Sequence, residues 1–293
     1  MIGELSALLT AFLWSVTSLF FANAVVRIGS VQVNVSRQVI ALIFLFFTSF
    51  ILKLQFSLQP IQYLYLFLSG IVGLTFGDSF LFLAYQEIGA RLSMLIMSLA
   101  PAFSAFLAYI FLDERMSLMG ILGISITLLG ILVVVSRDDK GQKSKINYIG
   151  LFFALLASLG QAAGLILAKK AFNISQVHGI VATIIRLSSS LSLLLPVALL
   201  TKKLKNPIKI FKSDLKAFLF TLGGSIAGPF LGITFSLIAI SNTKVGIAAT
   251  IMATPPIIML PLEKYFYNTK LTLRSIYGAI IAVLGVAILF LLN

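Results

Sequence analysis

The sequence predicts an all-α integral membrane protein: ten transmembrane helices arranged as two inverted five-helix repeats. Three observations carry that expectation. Of 293 residues, 59% are hydrophobic and 11% are charged, against about 25% charged in a soluble chain, and mean hydropathy is +1.08. Charges interrupt the chain at about the 20-residue interval that a spanning helix needs. Ordered residue matches relate the first half of the chain to the second. The apolar runs are continuous rather than alternating, which excludes a membrane β-barrel.

The elements follow in order. Span one is the charge-free run Leu5 to Val26. Span two, Val31 to Leu52, holds Arg37 as its one charge. Span three is marked by the charge-free run Leu54 to Gly77, and Asp78 sits deep in that span (GLTFGDSFLF). Spans four, five and six are Leu92 to Leu112, Met116 to Ser136 and Ile146 to Ala168. Span seven, Val177 to Thr201, again holds a single arginine, Arg186. Spans eight, nine and ten are Ala217 to Thr243, Val245 to Leu262 and Ser275 to Asn293. Residues 1–25 do not read as a cleaved signal peptide: the run is too long, and it lacks a basic n-region and an A-x-A-like site. Between the spans the loops are short. Residues 137–147 join spans five and six. Residues 202–216, with lysines among Leu204, Ile208, Ile210, Phe211 and Leu215, suit an anionic membrane surface, and Pro207 argues against one continuous helix there.

Composition removes several function classes. The chain has no cysteine, so disulfide scaffolds, thiol catalysis and iron–sulfur clusters are excluded. The one histidine, His178, rules out a histidine-rich metal site. Net charge is +13, yet the basic residues sit in gaps between apolar runs. That distribution speaks for topology and lipid headgroups rather than nucleic acid.

The halves match residue by residue. Gly3 opens GELSALLTAFLWS and Gly150 opens GLFFALLASLGQA, an offset of 147 that sets Trp14 opposite Gln161. Arg37 and Arg186 are 149 apart. Gly73, Gly77, Met97, Pro101, Gly123 and Gly130 recur as Gly228, Gly232, Met252, Pro256, Gly278 and Gly285 at an offset of 155. The repeats are expected over residues 1–140 and 146–293. Five spans per repeat force the second into the opposite orientation, the build of many secondary transporters, whose solute site lies at mid-membrane between the halves.

These motifs resemble the drug/metabolite transporter superfamily, EamA-type, over essentially the whole chain. The resemblance rests on Trp14-Ser15 (the family usually has Trp-Gly), on Arg37 and its repeat Arg186, and on the stretch Ala84 to Gly130. That stretch holds Ala100-Pro101, Asp113-Glu114-Arg115-Met116-Ser117, Gly123 and Gly130. The second half carries Pro255-Pro256, Lys270-Leu271-Thr272, Gly278 and Gly285, with Thr269 where Glu114 would repeat. The resemblance implies a ten-helix carrier with a central cavity, alternating access and both termini in the cytoplasm. The superfamily covers amino acids, nucleotide sugars, phosphorylated metabolites and drugs, so it implies no single substrate. The charges point the other way on orientation. With termini inside, the inner loops hold five basic residues and the outer loops fifteen, which favours both termini outside.

An ionisable group within a span costs about 2.5–3.5 kcal/mol on insertion scales and is a functional candidate by default. Asp78 reads either as a proton, cation or ammonium site or as the structural partner of an arginine such as Arg37. Arg37 and Arg186 read either as snorkelling anchors or as paired positive charge that holds a carboxylate or phosphate. Trp14, Tyr85, Ser98, Gln161 and Thr254 are expected to line the cavity with them. Pro101, Pro255 and Pro256 interrupt equivalent helices and are candidate gates. Met94, Met97 and Met252 suit an apolar cavity or plain packing. Glu263 reads as interfacial, and Asp113, Glu114 and Arg115 as a cluster that positions span five. Gly120, Gly123, Gly130, Gly278 and Gly285 serve close helix approach or dimerisation.

Enzymes fit poorly. An intramembrane aspartyl protease needs a second carboxylate beside Asp78, a serine protease needs a G-x-S-x-G elbow, and ATP-driven transport needs a Walker A motif. The expectation is a cofactor-free secondary transporter, monomer or homodimer, of the inner or plasma membrane. It exports or exchanges a small organic solute such as an amino acid or metabolite, with protons as the candidate coupling ion. The alternatives are a carrier of phosphorylated or nucleotide-linked metabolites, or a non-transporting membrane scaffold.

Overall fold

A computed structural model describes residues 1–135, 147–255, 257–258, 261 and 273–291. Pro256, Glu263, Thr269, Lys270 and most of the 137–147 loop lie outside the described residues. Within them the chain is helical, without a strand. Six helices are long and apolar enough to cross a membrane, and three shorter apolar ones accompany them.

The first half runs α1 (Ile2–Ile28), α2 (Ser30–Ile51), α3 (Pro60–Ser69), a π-helical segment π1 (Gly70–Gly77), α4 (Asp78–Met97), α5 (Ala100–Leu112) and α6 (Leu118–Val135). The second half runs α7 (Tyr148–Ile174), α8 (Gly179–Leu200), the short α9 (Pro207–Ser213), α10 (Leu215–Ser225), a second π-helical segment π2 (Ile226–Gly232), α11 (Ile233–Asn242), α12 (Val245–Met252) and α13 (Leu273–Leu291). Helices α1 and α7 both have 27 residues, and α2 and α8 both have 22. The two π segments fall at the same place in each half.

Local chemistry sets the boundaries. Gly29, at φ 87°, lets α1 turn directly into α2, a conformation that glycine adopts without strain. Pro60 sits at the start of α3 behind a reciprocal Gln59–Gln62 capping box. The helix therefore begins later than the charge-free run and carries through Asp78, which lies inside the continuous helical stretch Pro60–Ile88. Asn147, His178, Asn206 and Asp214 accept hydrogen bonds from the first N–H groups of α7, α8, α9 and α10, satisfying donors a helix leaves open. The lone histidine is thus a helix cap. Pro207 opens α9.

Helix ends gather on two faces. On one, Glu4 accepts a bond from Thr243 at 2.9 Å, and Glu114 accepts from the Val245 N–H at 2.8 Å. On the other, Arg27 pairs with Asp214 at 3.0 Å, and Asn147 donates to Glu87 at 2.7 Å. Large apolar side chains such as Phe50, Val26 and Leu200 point outward, as a lipid-facing surface requires.

Packing crosses between the halves. Helix α1 lies on α10, π2, α11 and α12, and α7 lies on α3, π1, α4 and α5. Small residues permit this. A methyl group at Gly164 would come within 2.8 Å of Gly73 Cα, and one at Gly160 within 2.8 Å of Gly77 Cα. Helices α6 and α13 meet in the same manner: a methyl at Gly130 would strike Ala282 Cα at 2.7 Å, and one at Gly285 the Gly123 carbonyl at 2.8 Å. These glycines serve close approach within one chain.

Candidate functional site

Helices α1, α2, α4, α5, α7, α8, α11 and α12 and both π segments line a cavity of about 130 Å³. A π turn widens the helix and misaligns its ladder, and such turns recur at functional sites. Here the glycines of π1 and π2 permit contact with the opposite half. The Gly73–Gly77 edge meets Gly164 and Gly160 of α7. The Gly228–Gly232 edge meets Thr17 and Trp14 of α1, a methyl at Gly232 lying 2.7 Å from Trp14 Nε1.

Of the eight cavity residues expected, Trp14, Arg37, Asp78, Tyr85, Ser98, Gln161 and Arg186 line it, as do Pro255, Met94, Met97 and Met252. Thr254 does not. It is 5% exposed, and its hydroxyl donates to the Ile251 carbonyl at 2.8 Å, because it sits at the break after α12, where the freed carbonyl needs a partner. Pro101 is not a wall residue either. It lies buried in the first turn of α5 behind Ala100, after α4 has ended at Met97. Pro255, the counterpart of Ala100 at the offset of 155, follows the end of α12 at Met252 and lines the cavity as Ala100 does. Pro256 lies outside the described residues.

The charged groups divide unequally. Arg37 Nη2 bonds Asp78 Oδ2, so the structure realises the ion-pair reading of Asp78. Arg37 Nε donates to Asn34 Oδ1 at 3.0 Å, and Asn34 donates to Ser79 Oγ at 3.2 Å. The guanidinium also stands 4.9 Å from the Phe82 ring centroid and 5.5 Å from that of Phe21, within range of cation–π attraction. Arg37 is therefore held on every side.

Arg186 is different. It is 2% exposed, and its Nε has no hydrogen-bond partner. Among the described residues no ion pair or side-chain hydrogen bond holds its guanidinium. It lies along π1, where a methyl at Gly73 would come within 3.0 Å of Nη2. Chemically the cavity holds the Arg37–Asp78 pair, a second cation, Arg186, that makes no ion pair of its own yet lies within the electrostatic reach of Asp78, and an apolar wall that includes Trp14, Phe21, Phe82, Tyr85 and Met252.

Sequence reasoning missed Thr17, Phe21, Phe82, Pro229 and Ser236, all of which line the cavity. Phe82 had a signal, since it lies one helical turn beyond Asp78, and Asn34 lies one turn before Arg37. Phe21 had none in a chain with 25 phenylalanines.

A family model described as the EamA-like transporter family matches residues 1–136 and 148–291. A solved crystal structure, described only as that of a protein, is similar with a TM-score of 0.80 at 16% identity, over 99% of this chain and 96% of that one. At that identity the likeness shows the fold alone. No curated protein matches the chain.

Proposed function

Because the chain belongs to the EamA-like transporter family and so is a multi-pass membrane transporter of small solutes, we propose that it works as a secondary carrier by alternating access. In this reading, residues 1–140 and 146–293 are two inverted five-helix repeats that rock about the cavity between them. The carrier exports or exchanges a small organic acid or zwitterion, such as an amino acid or related metabolite, across an inner or plasma membrane. Its family is one of transporters rather than enzymes.

The observation that carries the reading is the cavity itself. It is walled by both halves and holds Arg186, its Nε without a hydrogen-bond partner, beside the Arg37–Asp78 ion pair. An anionic group of a solute meets there a guanidinium that has no hydrogen-bonded partner at Nε. The breaks at 98–99 and 253–254 lie beside the cavity at matching places, where a change of helix angle costs no intact hydrogen-bond ladder. The volume of about 130 Å³ is below the roughly 300–1,000 Å³ of drug-sized pockets, which favours a small solute over a nucleotide-linked one. Gly130 of α6 and Gly285 of α13 are consumed in the contact between these two helices, which supports the monomer as the transporting unit. Asp78 is the carboxylate in the cavity and the candidate for proton coupling, since its protonation would release Arg37.

The test is flux of a mixed metabolite pool into proteoliposomes under an imposed proton gradient, with wild type and Asp78→Asn in parallel. A carrier gives saturable, counter-exchangeable flux. Asp78→Asn is expected to keep exchange and lose gradient-driven accumulation. Equal accumulation by both proteins would remove Asp78 from coupling. Flux no higher than in empty vesicles across the pool would favour a scaffold over a carrier.

A further inference from the structure

Among the cavity positions at which the two halves differ, one exchanges a charged group for an apolar one. The offset of 155 that superposes Gly73 and Gly77 on Gly228 and Gly232 also superposes Asp78 on Ile233. Each residue is the first after its π segment, Asp78 opening α4 and Ile233 opening α11. Each half also has its arginine, Arg37 in α2 and Arg186 in α8, and all four residues line the same cavity. In the first half the arginine closes on the aspartate. In the second half an isoleucine stands where the carboxylate would be. A bond between Thr234 and Thr183 hydroxyls at 3.3 Å fixes α11 against α8 one turn from Arg186, so Ile233 occupies the comparable ground.

We infer that the second half is an arginine–carboxylate site with its carboxylate left out, which a carboxylate of the solute completes. The inference rests on the cavity being the transport site and adds what that site reads: the acid group of a small organic monoanion, with no requirement for an amine. A guanidinium is charged at every accessible pH and its planar fork accepts a carboxylate by two parallel hydrogen bonds. Arg186 is buried, unpartnered at Nε and faces the cavity, so it is preorganised for such a ligand. An ammonium finds no equal counterpart, because Asp78 is already neutralised by Arg37, Asn34 braces that arginine, and two aromatic rings cover it. Trp14, Met97 and Met252 supply an apolar wall for the rest of the solute.

The experiment uses the purified full chain in detergent and reads the thermal midpoint with four probes: phenylacetate, phenylalanine, phenylethylamine and inorganic phosphate. A ligand that binds only the folded state raises the midpoint by an amount that grows with the logarithm of its concentration over its Kd. Phenylacetate and phenylalanine are expected to raise it alike, and phenylethylamine and phosphate to leave it unchanged. Ile233→Asp installs the missing carboxylate. It is expected to raise the midpoint without solute and to weaken phenylacetate binding at least tenfold. Arg186→Gln loses the phenylacetate shift and Arg186→Lys keeps part of it, which preserves the test if Ile233→Asp does not fold.

A shift with phenylalanine and phenylethylamine but not phenylacetate would overturn the inference, since the amine would then be what is read. A shift with phosphate as large as with phenylacetate would also overturn it, as would undiminished binding by Ile233→Asp. Vesicle flux separates the two ideas. A phenylacetate shift without flux leaves the acid site standing and removes the carrier reading. Flux that ignores the acid group and survives Arg186→Gln does the reverse.

Discussion

The Arg37–Asp78 pair allows the most direct test of how this membrane interior is held together. Asp78→Asn takes one charge from a pair whose side chains are 6% and 15% exposed. Removing one partner of a buried pair costs about 3–5 kcal/mol. Asparagine retains an acceptor oxygen and the cavity keeps some access to the position, so the expectation is the lower limit, about 3 kcal/mol. With about 2–4 °C per kcal/mol for chains of a few hundred residues, the midpoint should fall by roughly 6–12 °C. Arg37→Met should cost a similar amount, because Asp78 is then left without its main partner. The double variant Arg37→Met/Asp78→Leu replaces the pair by apolar groups beside Phe21 and Phe82, and such replacements are often close to neutral. The assay is a double-mutant cycle on thermal unfolding of the purified protein. Single losses that add to within about 0.5 kcal/mol in the double variant would mean uncoupled residues and would refute the ion pair as the organising contact.

Three further expectations follow from particular contacts. Gly164→Ala should lower the midpoint, since its methyl meets Gly73 Cα at 2.8 Å and backbone cannot yield; overpacking of this kind costs about 1–3 kcal/mol. Gly223→Ala meets only the Phe20 ring edge at 3.1 Å and should change the midpoint far less in the same melt. Glu114→Ala should destabilise by about 1.5–3 kcal/mol, the worth of a hydrogen bond to a charged group, because it removes the acceptor of the Val245 N–H; Glu114→Gln should recover part of the loss, and equal losses would argue against the bond. Asp214, outside the spans, has its pKa lowered by the Ala217 N–H bond and then by Arg27. A carboxyl lowered on folding stabilises above its unfolded pKa and loses that contribution as pH falls through its folded value. The stability gap between wild type and Asp214→Asn, read by denaturation at stepped pH, should therefore be present at neutral pH and close as pH falls below the ordinary aspartate range.

Much of the architecture is legible in the chain because charge is expensive in lipid. Gaps between apolar runs mark helix ends, and the intramembrane residues Arg37, Asp78 and Arg186 stand out for the same reason. Their pairing was not legible. Asp78 could equally have served a solute, and only the packing of α4 on α2 decides that Arg37 reaches it. The start of span three was misplaced because a charge-free run is not a helix: Pro60 and the Gln59–Gln62 box set the boundary. The π segments left no periodic signal. Their glycines recur at a fixed offset, but the partners differ, Gly160 and Gly164 on α7 against Trp14 and Thr17 on α1, so the recurrence alone did not reveal the contact. Thr254 shares its neighbourhood with true wall residues, yet a helix break turned its hydroxyl back on its own backbone.

The crossing of α1 and α7 into the opposite halves bears on how the molecule is made. Thr17 of α1 donates to the Gly224 carbonyl, 207 residues further along the chain, and the hydroxyls of Thr10 and Ser15 lie 3.5 and 3.4 Å from the carbonyls of Gly232 and Pro255. During synthesis the first helix therefore enters the bilayer long before its native neighbours exist and must wait there among lipids. Its polar hydroxyls bridge that interval by bonding carbonyls one turn back in the same helix, as Thr10 does to Ser6 and Ser15 to Ala11. The contacts that seat α1 therefore wait for the spans of the second half, and a ribosome stalled before π2 would leave α1 in the membrane without the neighbours it packs on.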